Sequence, residues 1–357
     1  IAPMTDSDQT TYDVAVVGGG PAGLTAALYA TRLGHDAVIV NRGGGRAAMM
    51  QDTHNVIGVT EDVSGVEFLQ TAQRQVQEYG ATYRRGFVND IDHRSDDRFH
   101  LVVDDGDDIV TRRVVLATGF SDVKPDPPLP PTGRGLHYCL HCDAYMFVDE
   151  SVYVMGHGDS AAHVAMIMLN FTDEVDVLLR GEEPAWSDET DEQLRAHPIE
   201  VVESEISGMN KSSDGWLESF EFEDGTVRQY RGGFAMYGSD YNTDLAVQLG
   251  CELNDDGTVV VDDSMETSVD GVYAVGDITP GHNQIPVAMG KGAQAGIDIH
   301  YDLRDFPRDL ETIRAEGPVG ADEVPGIGER VHAAAAAFEE ARAPPIEAPT
   351  AEPADDD

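Results

Sequence analysis

Two cysteines, Cys139 and Cys142, stand three positions apart and are followed directly by an acid, Asp143. Thiols at this spacing can close a small disulfide and act as a two-electron redox couple. The adjacent carboxyl offers a proton donor or acceptor for that chemistry. Because the pair lies between two glycine-rich turns of the nucleotide-binding type, it suggests electrons that pass between a nucleotide cofactor and a disulfide.

A zinc site and a structural disulfide are the alternatives for these cysteines. His137 and His141 flank the pair and could complete a set of zinc ligands. Structural zinc usually takes four cysteine or histidine ligands, however, and the only other cysteine, Cys251, is far away in sequence. The pattern therefore favours a redox pair, and we predict no metal site.

The first glycine-rich turn lies within a β-α-β unit. Residues 11–18 are apolar and β-branched, which is typical of a buried parallel strand, and 37–40 predict the next strand. Between them stands Gly-x-Gly-x-x-Gly, formed by Gly18, Gly20 and Gly23. The first glycine allows the tight turn, the second lets a pyrophosphate approach the backbone, and the third packs helix on strand. The unit therefore predicts a dinucleotide site at the start of a helix.

A second copy of this unit follows the cysteines. Strand residues 151–155 lead into Gly156 and Gly158, and a helix and the strand 175–179 complete the repeat, with Arg180 directly after it. A single Gly-x-Gly-x-x-Gly is weak evidence for a nucleotide site. Two copies in matching context around a Cys-x-x-Cys pair are strong evidence.

Further segments organise the rest of the chain. The proline-rich stretch at 126–133 predicts a hinge, and the chain is expected to cross back near 232–241. A strand at 267–277 ends in Gly276 and Asp277, and Gln284 then precedes a helix, where backbone N–H groups can meet a ligand. The remaining predicted elements are an amphipathic helix and three meander strands, at 65–79, 87–90, 99–103 and 109–116.

The composition limits the class of protein. A chain of 357 residues suits two domains plus a tail, and three cysteines indicate a reducing compartment, which predicts a cytoplasmic protein. No apolar run is long enough to span a membrane, and residues 1–11 lack the basic and apolar regions of a signal peptide. The net charge of −43 should repel nucleic acid and anionic membranes.

The acids are spread among segments with globular patterning, and the chain has only three lysines. This composition is similar to that of proteins from a salt-accumulating, halophilic cytoplasm, where salt screens the self-repulsion. From about residue 306 the composition changes. The alanine run at 333–337 predicts a helix, and the segment from about 343, rich in proline, alanine and acids, predicts disorder.

In their order and spacing these segments resemble the low-molecular-weight thioredoxin reductases, over roughly residues 11–305. The motifs that carry the resemblance are Gly18–Gly23, Ala117–Gly119, Cys139–Asp143, Gly156–Ala161 and Thr267–Asp277 with Gln284. The resemblance implies an α/β protein with two Rossmann-like, three-layer FAD/NAD(P)-binding domains, the second inserted in the first. The implied boundaries are a discontinuous FAD domain at 10–121 and 240–305, an insert at 122–238, and a C-terminal extension at 306–357.

The resemblance also assigns the cofactor site. The three glycines of the first turn would hold the FAD pyrophosphate, and Asn41 stands where an acid usually binds the adenosine ribose. Asp277, beside Gly276, would bind the ribityl chain, and Gln284 would lie at the flavin ring. The family forms homodimers, so a homodimer is expected.

For the dithiol, the resemblance implies that Cys142 faces the flavin and that Cys139 attacks the disulfide of thioredoxin or a similar CxxC protein. Asp143 would exchange protons with the thiols, together with His141 or His137. We place His141 with the catalytic residues and regard His137 as the weaker candidate.

The second nucleotide site departs from the family pattern. Members that use NADPH carry His-Arg-Arg for the 2′-phosphate, whereas this chain has Leu179, Arg180 and Gly181, followed by Glu182 and Glu183. Two carboxylates should oppose a phosphate, although the glycine turn before them is intact. The donor is therefore left open between NADPH, NADH and neither.

Three hypotheses follow. The first is a disulfide reductase that draws electrons from a reduced nicotinamide through FAD. The second keeps the flavin and the dithiol but acts as a dithiol oxidase that uses oxygen, or takes its electrons from ferredoxin; Arg46, Asn55 and the helix at 66–80 resemble that sister group. The third is a flavin-binding sensor or scaffold without activity, which the intact cysteine pair argues against. We predict an FAD-dependent dithiol/disulfide oxidoreductase.

Overall fold

The computed structural model describes residues 10–104, 106–126, 129–324, 326 and 328–341. In chain order the strands are β1 (Thr10–Val17), β2 (Ala37–Asn41), β3 (Thr82–Arg85), β4 (Val88–His93), β5 (Phe99–Val103), β6 (Ile109–Leu116), β7 (Phe120–Asp122), β8 (Val152–Met155), β9 (Val175–Leu178), β10 (Ile199–Val202), β11 (Ile206–Lys211), β12 (Leu217–Phe222), β13 (Val227–Gln229), β14 (Gly232–Ala235), β15 (Ser239–Tyr241) and β16 (Val272–Ala274). The α-helices are α1 (Pro21–Arg32), α2 (Gly65–Glu78), α3 (Leu140–Asp143), α4 (Asp159–Met168), α5 (Asp188–Arg195), α6 (Asp244–Leu249), α7 (Ile285–Leu303), α8 (Leu310–Glu316) and α9 (Glu329–Ala341). Short 3₁₀ turns lie at Arg46–Met49, Ala144–Phe147 and Gly276–Ile278.

The first sheet has the strand order β3-β2-β1-β6-β5-β4, and β16 also pairs with β6. Strands β1, β2, β3, β6 and β16 are parallel, whereas β4, β5 and β6 form an antiparallel meander. Helices α1 and α7 contribute to the apolar core on one face of the sheet, and residues of α6 contribute to the core on the other. The buried, β-branched character of β1 and β2 is what a strand covered on both faces requires.

The second sheet has the order β10-β9-β8-β14, and all its strands are parallel. Helix α4 covers one face, where Phe147 and Phe234 are fully buried. On the other face, Tyr153 packs edge-on against Phe220 of the antiparallel sheet formed by β11, β12 and β13. The second sheet and its covering layers therefore have a core of their own.

The chain leaves the first sheet after β6, builds the second sheet, and returns to the first with β16 and α7. This confirms the expected α/β fold of two Rossmann-like units, the second inserted in the first. The two crossings lie side by side, because β7 pairs antiparallel with β15, Phe120 opposite Tyr241 and Asp122 opposite Ser239. The boundaries predicted near 121 and 240 fall within this ladder and stay predictions.

Several predicted elements differ in extent. Strand β3 was not predicted, and of the strand expected at 267–277 only Val272–Ala274 pairs with the sheet. The chain was expected to cross back to the first unit over residues 232–241. Only β15 lies in this crossing, because β14 still belongs to the second sheet. The alanine run at 333–337 lies within α9, as expected.

Three expectations fall outside the described residues: the character of residues 1–9, residues 127–128 of the proline-rich hinge, and the disorder predicted from about 343. No helix in the described part of the chain is long and apolar enough to cross a membrane.

Candidate active site

Cys139 and Cys142 are joined in a disulfide, with an S–S distance of 2.03 Å and a Cα–Cα distance of 5.3 Å. Cys139 is the residue before α3, and its carbonyl accepts hydrogen bonds from the backbone N–H groups of Cys142 and Asp143, both at 3.2 Å. This single helical turn brings the two sulfurs together and places Asp143 at its end. Since both thiols are consumed by the bond, neither can bind zinc in this form.

The disulfide lies against the N-terminus of α7. Gln284, the residue before that helix, places its Nε2 atom 3.4 Å from the Cys139 sulfur and 3.6 Å from the Cys142 sulfur. Its Oε1 atom accepts a hydrogen bond of 2.8 Å from the Nδ2 atom of Asn55. Residues from the inserted unit and from two separate parts of the first unit therefore meet at the disulfide.

The two histidines near the cysteines differ in their surroundings. His137 is buried, and its Nδ1 atom lies 2.7 Å from the Oδ2 atom of Asp143. His141 is exposed, and its ring lies 6.4 Å from that of His282. The carboxyl of Asp143 is thus bonded to His137, which the sequence ranked second, and the catalytic role predicted for His141 stays a prediction.

The first glycine turn leaves room for a ligand at one position. A Cβ atom at Gly18 would lie 2.3 Å from the Ala117 carbonyl oxygen, and one at Gly23 would lie 2.1 Å from the Gly18 oxygen. At Gly20, by contrast, a Cβ atom would meet nothing within 4 Å. Gly20 is the extended residue before α1, and no side chain caps that helix. The helix therefore offers its backbone N–H groups to a phosphate.

Asn41 ends β2 beside this turn. A Cβ atom at Gly19 would lie 2.7 Å from the Asn41 Nδ2 atom, which itself donates a 2.7 Å hydrogen bond to the hydroxyl of Tyr83. The Asn41 side chain therefore lies against the turn, and since its Nδ2 atom is bonded to Tyr83, its amide oxygen is the atom that could accept a hydrogen bond from a ribose hydroxyl.

Asp277 lies in the 3₁₀ turn between β16 and α7, close to the start of α1. A Cβ atom at Gly276 would lie 2.8 Å from the Cβ atom of Ala22, so the turn packs directly on that helix. Burial raises the pKa of Asp277, although the charges of Arg46 and Lys291 act in the opposite direction. A half-buried carboxyl there is suited to accept hydrogen bonds from hydroxyl groups.

Lys291 is a site residue that the sequence analysis did not identify. Its ammonium donates to the carbonyl oxygens of Gly276, Thr279 and Pro280, at 3.2, 3.2 and 2.8 Å. These three bonds hold the segment that carries Asp277 against α7. The sequence feature that could have pointed to Lys291 is the rarity of lysine, because the chain has only three.

The N-terminus of α7, like that of α1, has no side-chain cap. The first unit thus has two open helix N-termini, a half-buried acid at Asp277 and the Gln284 amide beside the disulfide, a set that fits a flavin dinucleotide. The second glycine turn has the same backbone form but different surroundings. Gly158 has open space beside it, like Gly20. The first residue of α4, however, is Asp159, whose carboxylate accepts from the Thr190 hydroxyl at 2.6 Å and the Ser187 N–H at 3.1 Å. The hydrogen bond from the Thr190 hydroxyl, and after it the one from the Ser187 N–H, lower the pKa of Asp159 and so favour a negative charge at the helix start.

Arg180, predicted to bind the nucleotide, is turned inward. Its guanidinium is almost fully buried and donates to the Glu205 carboxylate at 3.0 Å and to the Asp126 carbonyl at 2.8 Å. In addition, the Ala185 N–H donates to the carbonyl of His157, which draws the following loop onto the glycine turn. In this arrangement Arg180 holds the linker rather than facing the turn.

In the described part of the chain, no group of three or more His, Cys, Asp or Glu side chains is placed to hold a metal ion.

Comparison with known proteins gives consistent matches. The family described as pyridine nucleotide-disulphide oxidoreductase matches residues 12–292. The thioredoxin reductase of Helicobacter pylori is 30% identical over 308 residues, which cover 80% of this chain and 97% of that protein. The crystal structure of thioredoxin reductase from Streptococcus pyogenes matches with a TM-score of 0.75 at 27% identity, over 82% of this chain and 97% of that one. The Lactococcus lactis thioredoxin reductase in its FR conformation covers 81% and 98% at 28% identity, but with a TM-score of 0.52.

Proposed function

The chain belongs to the pyridine nucleotide-disulphide oxidoreductase family, and from this we propose that it is an FAD-dependent disulfide reductase of the thioredoxin reductase type. The observation that carries the proposal is the position of the Cys139–Cys142 disulfide, in contact with Gln284 at the N-terminus of α7. A redox-active bond is thereby placed beside the unit whose open helix ends and half-buried acid fit a flavin dinucleotide.

In this proposal FAD would supply the electron pair that opens the disulfide. The backbone of Gly18–Gly23 and the start of α1 would bind its phosphates, and Asn41 would accept a hydrogen bond from the ribose. Asp277, held by its turn against α1 and α7, would orient the hydroxyl-bearing chain. Gln284 would lie between the ring and the sulfurs, where its amide can donate to either.

The dithiol would then reduce a partner by thiol–disulfide exchange. The Cys139 sulfur forms a bond to one partner sulfur while the partner disulfide breaks, and the leaving sulfur takes a proton. The Cys142 sulfur next bonds to Cys139, which releases the second partner sulfur with a second proton. The chain returns to its disulfide form and the partner gains two thiols. Asp143 is the group positioned to transfer these protons, with His141 exposed on the same turn.

The partner proposed is thioredoxin or a similar CxxC protein, as the names of the relatives suggest. We also propose a homodimer in a salt-accumulating cytoplasm, by resemblance and by the acidic, lysine-poor composition.

The electron donor is a separate proposal. Because Arg180 is engaged by Glu205 and Asp126, and is followed by the exposed acids Glu182 and Glu183, we propose that the insert does not bind the 2′-phosphate of NADPH. A 2′-phosphate would have to displace the bonds that Arg180 makes to Glu205 and Asp126 and would also be repelled by Glu182 and Glu183. This favours NADH or a protein donor such as ferredoxin, or a dithiol oxidase that passes electrons to oxygen.

Movement of the insert is part of the proposed reaction, because the disulfide here occupies the flavin side of the first unit. The Lactococcus lactis FR structure aligns over almost the same share of the chain as the Streptococcus pyogenes structure, yet its TM-score is lower by 0.23 (0.75 against 0.52). A different arrangement of two similar units would produce such a difference, and we propose that the insert turns relative to the first unit. The β7–β15 crossings and the linker held by Arg180 are the proposed hinge.

An anaerobic titration of the flavin-loaded protein in concentrated KCl tests both proposals. NADPH, NADH, reduced ferredoxin and dithiothreitol are added in separate experiments while the flavin absorbance is followed. Bleaching by dithiothreitol tests the link between flavin and disulfide, and its absence would exclude the proposed function. Stoichiometric bleaching by NADPH would refute the proposed loss of the 2′-phosphate site while leaving the reductase intact.

A further inference from the structure

Neighbouring residues hold both the backbone and the ring of His137 in place. Its N–H donates to the Gly233 carbonyl at 2.8 Å, and its own carbonyl accepts from the Ala235 N–H at 2.9 Å, so the residue extends the edge of the second sheet. The ring meets Phe147 edge-to-face at 5.2 Å between centroids and lies 6.1 Å from Phe234. The imidazole therefore has one orientation, set by the core of the inserted unit.

That orientation directs Nδ1 at the Oδ2 atom of Asp143, 2.7 Å away, with the two side chains 5% and 24% exposed. The other ring nitrogen, Nε2, is buried and has no hydrogen-bond partner among the residues that the structure describes. A buried nitrogen without a partner costs free energy, and a phenylalanine would suit this pocket of aromatic rings better. Packing alone therefore does not account for a histidine here.

We propose that His137 is the positioning residue of Asp143 and shares its proton during dithiol exchange. The inference deepens the proposed function, since it assumes that the Cys139–Cys142 pair reacts. By binding Oδ2, the imidazole fixes the carboxyl so that its second oxygen is available to the sulfurs on the same helical turn. By sharing the proton, it also offsets a carboxylate charge that would otherwise oppose a thiolate.

The proton transfers follow the exchange reaction. When the Cys139 thiol attacks the partner disulfide, its proton passes to Asp143 and is shared with His137. The partner sulfur that leaves as a thiolate takes this proton as the new sulfur–sulfur bond forms. The proton of Cys142 follows the same path to the second partner sulfur, so two thiol protons are transferred for each disulfide reduced.

Other ionisable groups near the His137–Asp143 pair could also influence how the reactivity of the cysteines depends on pH. Tyr145 follows Asp143 on the next turn, and its pKa is raised by burial and by acidic neighbours that include Asp143. The ring of His54 packs on Tyr145 at 5.6 Å, and His141 lies on the exposed side of α3. Among the described residues, Glu61, Asp52 and His54 interact with Tyr145, and His282 lies beside His141, so these groups surround the His137–Asp143 pair through Tyr145 and His141.

Two substitutions separate positioning from proton sharing. His137→Asn retains an N–H close to the Nδ1 position but has no group that can share a proton. His137→Phe removes both functions and suits the aromatic pocket. The measurement is the pH dependence of Cys139 alkylation by iodoacetamide in the dithiothreitol-reduced, flavin-loaded protein, followed by mass spectrometry of the peptide that contains Cys139. It requires no donor and no turnover.

For His137→Phe we expect the midpoint of the alkylation profile to move to higher pH by about one unit or more, because the Asp143 charge is no longer offset. His137→Asn should give a smaller shift in the same direction. His163→Asn, an exposed histidine on α4, is the matched control and should leave the profile unchanged.

Unchanged profiles in both His137 variants would overturn the inference, as would an equal shift in His141→Asn. If the phenylalanine variant does not fold, the asparagine variant decides alone. Failure of the flavin titration would refute the proposed function but would not alter this profile, so the two can be distinguished.

Discussion

Cys142 and Cys251 allow a matched test of the reactive thiols. Cys142 lies in the disulfide beside Gln284, whereas Cys251 is buried, its sulfur is 3.4 Å from the Thr267 hydroxyl, and burial raises the pKa of its thiol. We expect Cys142→Ser to retain bound FAD but to lose disulfide reduction, because a single thiol cannot release the mixed disulfide. Cys251→Ser should remain active. Both variants are assayed for reduction of a thioredoxin disulfide without dithiothreitol, using the electron donor that bleaches the flavin in the titration. Full activity in Cys142→Ser would refute the role of the cysteine pair.

Lys291 gives the second residue prediction. Burial lowers its pKa, but three carbonyl oxygens surround the ammonium and the charge of Asp277 favours the protonated form. Lys291→Met should release the Gly276–Pro280 segment and weaken FAD binding by about tenfold or more, the effect of losing one charge-assisted hydrogen bond.

The measurement is the dissociation constant of FAD from the apoprotein, by quenching of flavin fluorescence. Lys211→Met, on the exposed end of β11, is the control and should bind FAD like the unmodified protein. Equal affinities in the two variants would show that Lys291 does not support the cofactor site.

At the scale of elements, the contact between α1 and α7 depends on the absence of a side chain at Gly292. A Cβ atom there would lie 2.2 Å from the Ala22 carbonyl oxygen of α1, whereas one at Gly290, two residues earlier in α7, would meet nothing within 4 Å. Gly292→Ala should therefore separate the helices and lower the midpoint of thermal unfolding. Gly290→Ala should leave it equal or slightly higher, since alanine favours a helix by about 1 kcal/mol over glycine.

Differential scanning calorimetry of the two alanine variants checks this prediction. A Gly292→Ala protein as stable as Gly290→Ala would mean that the two helices are not held at the distance found here. Because α1 carries the first glycine turn and α7 begins at Gln284, the same substitution should also weaken FAD binding.

The sequence predicts well those elements in which the local backbone conformation and burial determine the residue types. The second half of β1, Val14–Val17, and the first four residues of β2 are continuous apolar runs, and the glycine turn between the strands permits one backbone path. Strand β3, which was missed, is polar and only half-buried, and its pairing with β2 defines it. Residues 267–277 alternate like a strand, but only Val272–Ala274 reach the edge of β6 beyond the end of β5.

The candidate site, too, has features that the local sequence predicts and features that depend on contacts with remote residues. The disulfide follows from the spacing of its cysteines. The choice of His137 over His141 as the partner of Asp143 depends on the pairing of the His137 backbone with β14, which the sequence does not show. Arg180 stands at the expected position after β9. Its orientation is decided by Glu205 and by the linker carbonyl of Asp126, both remote in sequence.

At the scale of the whole molecule, charge is the dominant feature. The chain carries 66 acids against 23 lysines and arginines, so even complete pairing would leave most carboxylates without a cationic partner. Several arginines already serve internal roles, among them Arg46, which binds Asp122 through two hydrogen bonds at 2.9 and 3.2 Å. The folded state therefore carries a net repulsion that neighbouring groups do not offset.

Salt should stabilise this protein by screening that repulsion. The screening length falls from about 10 Å at 0.1 M to about 3 Å at 1 M ionic strength, so repulsion between exposed acids should be largely removed over this range. We expect the midpoint of thermal unfolding to rise steeply with KCl and then to level off. At equal ionic strength potassium acetate should act like KCl, because screening depends on ionic strength and not on the anion.

A neutralising variant tests the cause directly. Replacing the exposed, adjacent Glu182 and Glu183 by glutamine removes two negative charges without disturbing a buried group. The double variant should be more stable than the unmodified protein at low salt and should gain less from added KCl, so that the two curves converge. Parallel curves, or a rise in stability that continues in proportion to salt, would assign the effect to strengthened apolar burial rather than to screened charge.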